Sequence, residues 1–142
     1  MHRTANNSAK RFMSRSNRPN TEIQKLLQTL KEVDAQIAVE IERTPLGSFS
    51  VYYLAEVMAW CLLRLASSAL FSKRLSMPSS DSEVFSVLQK ADVLNLVSAR
   101  KLKQFCELRH LASRDFYTLN GPEIVETLKN RSEVLSLIDK LN

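Results

Sequence analysis

Apolar positions along the chain recur mostly at helical spacing. Ile23, Leu26, Leu27, Leu30, Val33, Ile37 and Ile41 follow a three-and-four rhythm that draws one stripe on a helix. The pattern predicts helix one over about Glu22 to Arg43, opened by a Thr21–Gln24 capping box and ended by Pro45 and Gly47. From about Phe49 to Lys73 the sequence is apolar on most sides, with Tyr52, Tyr53, Leu54, Val57, Met58, Trp60, Leu62, Leu63, Leu65, Leu70 and Phe71. A helix of that kind has to be covered by others, so helix two is the expected centre of the molecule. Glu56 and Arg64, about 80° apart around its axis, are expected to share a polar edge or an ion pair.

Leu75 to Ser79 reads as a loop. Ser80 with Glu83 reads as a second capping box, opening helix three to about Lys90 with Val84, Phe85, Val87, Leu88 and Ala91 inward. After a connection over Asp92 to Val97, helix four is predicted from near Ser98 to about Phe116 on Leu102, Phe105, Cys106, Leu108, Leu111 and Ala112. Asn120, Gly121 and Pro122 break the chain and start helix five, which uses Ile124, Val125, Leu128, Val134, Leu135, Ile138 and Leu141. The expected fold class is all-α, an antiparallel bundle of about five helices. No internal repeat is visible.

Composition agrees with that picture. Two glycines and four prolines in 142 residues are too few for a meander of hairpins. The most apolar stretch, Phe49 to Phe71, is interrupted by Glu56 and Arg64 and so reads as a buried helix with no membrane role. The polar N-terminus shows no secretory signal, which together with two isolated cysteines, Cys61 and Cys106, implies reduced core thiols and a cytoplasmic location. With two histidines in all, neither a zinc site nor a Ser-His-Asp centre is supported, and no cofactor motif is present.

The net charge of +5 is confined to one end. Residues 1–20 hold Arg3, Lys10, Arg11, Arg15 and Arg18 and no acid; the remaining chain balances fifteen bases against fifteen acids. The expected organisation is a basic, Asn/Ser-rich disordered tail over 1–20 and one helical domain over 21–142. The tail is either simply solvated or touches RNA phosphates, and the true start is either Met1 or Met13.

One segment carries chemistry: Glu107 to Tyr117. On a helix, His110 and Arg114 are surface neighbours about 40° apart, while Arg109 and Arg114 lie about 140° apart. Arg100, Lys101, Lys103, Arg109 and Arg114 outweigh Glu107 and Asp115 there. Imidazole among guanidiniums suits phosphate chemistry, because histidine moves protons near neutral pH and arginine grips phosphate in a fork. The plainer alternative is a solvated basic helix with a surface histidine.

The order of features resembles the HEPN superfamily, and within it the HepT-like proteins, over about Thr21 to Leu141. It rests on the long amphipathic first helix, the apolar second helix with Tyr, Glu and Arg, the stretch Pro78 to Leu88, Leu94, and Leu102 to Leu108 running into Arg109 and His110. The resemblance implies a homodimer, a minimal nucleotidyltransferase partner of antitoxin type, and metal-independent RNA cleavage through an Arg-polar-x-x-x-His motif. In that motif the histidine transfers protons during attack by the ribose 2′-hydroxyl, and the arginine holds the phosphate. Arg109 matches the arginine and His110 the polar position, whereas Arg114 stands where the catalytic histidine is expected. The family's nucleotide-accepting tyrosine falls on Phe116, with Tyr117 one place off. Arginine does not serve as a base at neutral pH. The expectation is therefore a HepT-like component of a toxin–antitoxin type module with degenerate RNA-cleaving chemistry, acting through dimerisation and binding of its partner or RNA. The alternatives are an active endoribonuclease using Arg109 and His110, and a non-enzymatic helical adaptor.

Overall fold

The computed structural model describes the backbone of residues 4–113 and 120–141, and side chains within 21–111 and 120–141. Among the described residues all regular structure is helical: α1 (Thr4–Arg43), α2 (Phe49–Ser72), α3 (Val84–Lys90), α4 (Leu96–Cys106), α5 (Gly121–Lys129) and α6 (Arg131–Leu135). Short 3₁₀ segments cover Asp81–Glu83, Glu107–Ser113 and Ile138–Leu141. The all-α bundle expected from periodicity is what forms.

Several boundaries differ from the expectation. α1 extends back to Thr4, so Thr21 lies inside it and the Thr21–Gln24 box does not start it. The apolar stripe marks only the packed part of a helix and carries no signal for a polar stretch upstream of it. Ser80 makes no side-chain capping bond; its hydroxyl meets that of Ser82 at 3.2 Å, so the second box is also absent. Asn95 opens α4 instead, its side chain accepting the Ser98 N–H at 2.7 Å. The predicted long fifth helix breaks at Asn130 into α5, α6 and the final 3₁₀ turn. Its start is as read: Asn120 accepts the Glu123 N–H at 3.1 Å, with Pro122 in the first turn.

α2 is the core helix, with eleven buried residues from Val51 to Leu70. It is long and apolar enough to cross a membrane, but more than half of its most apolar window is covered by other elements of the bundle. Leu30, Val33 and Ile37 of α1 pack along it, and Arg131 of α6 ties down to Asp34 of α1. One stripe of α2 stays open: Phe49, Tyr53, Trp60 and Phe71 are 46–72% exposed. Arg64 pairs with Glu22 of α1 rather than with Glu56.

With so few glycines, two helix ends are closed by other residues. Arg74 (φ 56°) and Asp92 (φ 60°) hold the left-handed position after α2 and α3, where Leu75 N–H reaches the Leu70 carbonyl and Val93 N–H that of Leu88. Both glycines serve another purpose. Gly47, at φ 98°, and Gly121 pack around the Tyr52 side chain, where a methyl group on either would stand within 2.8 Å of the hydroxyl. That contact seats the start of α5 on the α1–α2 connection.

Candidate functional site

The segment with Arg109 and His110 is held by the end of α4. Ala99, Leu102, Phe105 and Cys106 face inward at helical spacing. The Cys106 thiol reaches the Ala59 carbonyl of α2 at 3.6 Å, fixing the last turn against the core helix. Burial pushes the Cys106 thiol up to about 12; Arg109 opposes that shift and Glu107 adds to it. The thiol is protonated at physiological pH and acts as packing and a weak donor.

Beyond Cys106 the backbone tightens. The α-helix expected to continue to Phe116 ends, and Glu107–Ser113 runs as a 3₁₀ helix packed on α2, with Leu111 buried. At three residues per turn, successive side chains project about 120° apart. Arg109 and His110 accordingly diverge: Arg109 is half-buried and His110 exposed. The Arg109 Nη1 donates to the Cys106 carbonyl at 2.7 Å, closing the end of α4 with a positive charge where the helix dipole is negative. Its Nε is buried with no hydrogen-bond partner among the described residues, an arrangement that costs about 1–3 kcal/mol when left unmet.

Among the described residues, two grooves flank α4. One, of about 290 Å³, lies between α4 and the α5–α6 junction and is lined by Lys101, Gln104, Phe105, Leu108, Thr127, Asn130, Glu133 and Val134, with Lys101 and Glu133 paired at 3.0 Å. The other, of about 180 Å³, lies between α3 and α4 and carries Arg100 and Lys103 beside Ser86 and Gln89. Neither includes Arg109 or His110. The single chain therefore does not gather these two side chains in either groove. Arg114, Phe116 and Tyr117 lie outside the described residues.

Sequence reasoning missed the Cys106 carbonyl as Arg109's partner. Arg109 three residues beyond a buried helical position was the available sign, since a basic side chain in the last turn reaches back to free carbonyls.

Over residues 21–140 the sequence matches the HepT-like ribonuclease family. The chain belongs to that family. Solved structures agree on the fold. A toxin–antitoxin crystal structure with AMP-PNP aligns with TM-score 0.74 at 17% identity, covering 84% of this chain and 96% of that one. A mutant of the MntA–HpeT toxin–antitoxin pair aligns at 0.73 with 18% identity, covering 84% and 95%. A tri-AMPylated HEPN toxin from Shewanella oneidensis, in complex with its MNT antitoxin, aligns at 0.69 with 17% identity, covering 87% and 95%. Curated proteins give no match by sequence. In this HepT-like chain Arg109 and His110 thus sit on a 3₁₀ turn anchored through Cys106 to α2.

Proposed function

We propose that this chain is the HepT-like partner in a toxin–antitoxin type module, a cytoplasmic homodimer that binds a minimal nucleotidyltransferase of MNT type, RNA, or both, with degenerate RNA-cleaving chemistry. The observation that carries this reading is the family match across residues 21–140; the similar folds crystallised as toxin–antitoxin pairs support it. Arg109 keeps the phosphate-holding position and His110 the polar one, while Arg114 replaces the proton-transferring histidine. General acid–base catalysis contributes about 10²–10⁴-fold, so its loss leaves binding intact and cleavage slow. The match starts at residue 21, leaving residues 1–20 as a basic extension, either solvated or touching RNA phosphates through its five cations. Without a hydroxyl on Phe116, Tyr117 is the candidate acceptor for nucleotide modification by the partner.

A second reading has one observation in its favour. His110 is exposed, so its imidazole is within reach of a substrate and would act as the proton carrier beside Arg109.

The deciding assay is RNA cleavage by the purified chain beside its Arg114→His variant, with a minimal nucleotidyltransferase of MNT type tested for co-purification. The proposal expects slow cleavage by the natural sequence and a gain on the order of 10²-fold or more in Arg114→His. Vigorous wild-type cleavage abolished by both Arg109→Ala and His110→Ala would replace it with the second reading. No gain in Arg114→His and no nucleotidyltransferase binding would leave an adaptor.

A further inference from the structure

The exposed stripe of α2 has an internal symmetry. At 100° per residue, Phe49, Tyr53, Glu56, Trp60, Arg64, Ser67 and Phe71 all fall within about 80° of one another around the axis. Read outward from Trp60, the stripe pairs with itself: Glu56 and Arg64 lie four residues to either side, Tyr53 and Ser67 seven, Phe49 and Phe71 eleven. When two copies of α2 cross antiparallel about Trp60, an acid faces a base twice, a tyrosine faces a small serine twice, and phenylalanine faces phenylalanine at both ends.

We infer that this face of α2 is the surface on which a second copy of this chain docks, antiparallel and centred on Trp60. The inference rests on the homodimer of the proposed function and specifies where it forms. A two-fold interface must be self-complementary, with i contacting j and j contacting i, and the stripe meets that demand in charge and in size. Arg64 is already paired with Glu22, but both side chains are more than half exposed, and a guanidinium has donors left for a second carboxylate. Phe49, Tyr53, Trp60 and Phe71 are 70, 67, 46 and 72% exposed. At 150–250 Å² for a whole aromatic side chain, they leave roughly 400–600 Å² of ring surface in one row. That is about half or more of what each partner gives to a standard interface, and the intervening polar side chains add to it.

The placement also bears on the motif. Ala59, whose carbonyl receives the Cys106 thiol, immediately precedes Trp60. The Glu107–Ser113 segment therefore packs on α2 at the level of the midpoint of the stripe.

Trp60 is the sole tryptophan, so its fluorescence reads this surface directly. Sedimentation and acrylamide quenching on the full chain should show a dimer at micromolar concentration with a shielded indole. Trp60→Glu should give a folded monomer by circular dichroism, with affinity weakened at least about 100-fold. Trp60→Cys should cross-link to itself. Glu56→Cys and Arg64→Cys should cross-link to each other when mixed and far less when separate. Glu56→Arg should weaken the dimer, and the Glu56→Arg, Arg64→Glu double variant should restore it. A dimer untouched by Trp60→Glu, or no recovery in the double variant, overturns the face while leaving homodimerisation standing. A wild-type monomer whose indole is shielded only by added nucleotidyltransferase assigns the face to that partner and overturns the inference. RNA cleavage by Arg114→His is read separately, so the two proposals fail independently.

Discussion

Replacing Gly121 with alanine sets two opposing effects against each other. At an early helical position the substitution ordinarily stabilises, by about 0.4–1 kcal/mol, because alanine restricts the unfolded chain. Here a Cβ would stand 2.2 Å from the Leu46 carbonyl oxygen and 2.6 Å from the Tyr52 hydroxyl. The first neighbour is backbone in the Thr44–Ser48 connection, which is pinned by the Gly47 N–H on the Thr44 carbonyl at 2.9 Å and the Thr44 hydroxyl on the Glu40 carbonyl at 2.8 Å. The backbone contact does not relax by a rotamer change. Overpacking of this kind costs about 1–3 kcal/mol, so the clash wins and the net loss is about 1–2 kcal/mol. For a chain of this size that lowers Tm by roughly 3–8 °C, measured by circular dichroism at 222 nm. Tyr52→Phe in the Gly121→Ala background removes only the hydroxyl contact, so it should recover a minor part of the loss. A Gly121→Ala protein melting at or above the wild type would refute the argument, because the restricted unfolded chain would then outweigh a contact that is not tight.

Three other outcomes follow from the same geometry. Arg74→Gly should raise Tm by a few degrees, because a side chain at φ 56° costs roughly 1–2 kcal/mol that glycine avoids. Arg131 donates to the Asp34 side chain and, at 2.8 Å, to the Leu128 carbonyl, with little of its side chain exposed; Arg131→Ala should cost about 1.5–3 kcal/mol in urea unfolding, and Arg131→Lys should not restore it because lysine lacks the fork. The Cys106 thiol stays protonated in the folded state to about 12 while the unfolded thiol ionises near 9; its contribution is complete below pH 9 and is lost as pH rises from there toward 12, so urea midpoints should fall more steeply with alkali in the wild type than in Cys106→Ala.

Much of this fold is legible locally. The stripe from Ile23 to Ile41, the apolar run of α2 and the Asn120–Gly121–Pro122 break each carry their instruction in neighbouring residues, and each forms where it was read. What escapes is set by contacts far away in sequence. Nothing near Gly121 announces the Leu46 carbonyl, and nothing near Cys106 announces the Ala59 carbonyl that anchors the end of α4. The tightening to 3₁₀ geometry after Cys106 is of this second kind, and so is the divergence of Arg109 from His110. The stripe of α2 was legible as apolar but not as exposed, because hydropathy alone does not say whether a face is covered by its own chain or left open.

Arg109 is where fold and proposed chemistry compete. One of its five donors already closes the last turn of α4, on the Cys106 carbonyl. If phosphate binding required the whole guanidinium to swing out, that bond would break and α4 would lose its positive C-terminal charge. A fork needs only two parallel donors. With one Nη1 donor on the carbonyl and Nε buried, Nη2 is the nitrogen through which Arg109 would give a phosphate oxygen a bond without unseating the helix. One chain then presents a single-edged grip, half of what a fork supplies. Two chains joined about Trp60 would present two such edges. If firm phosphate binding draws on Arg109 from both copies, Trp60→Glu should weaken RNA binding alongside self-association. Unchanged RNA affinity in a demonstrated Trp60→Glu monomer would show that one Arg109 suffices.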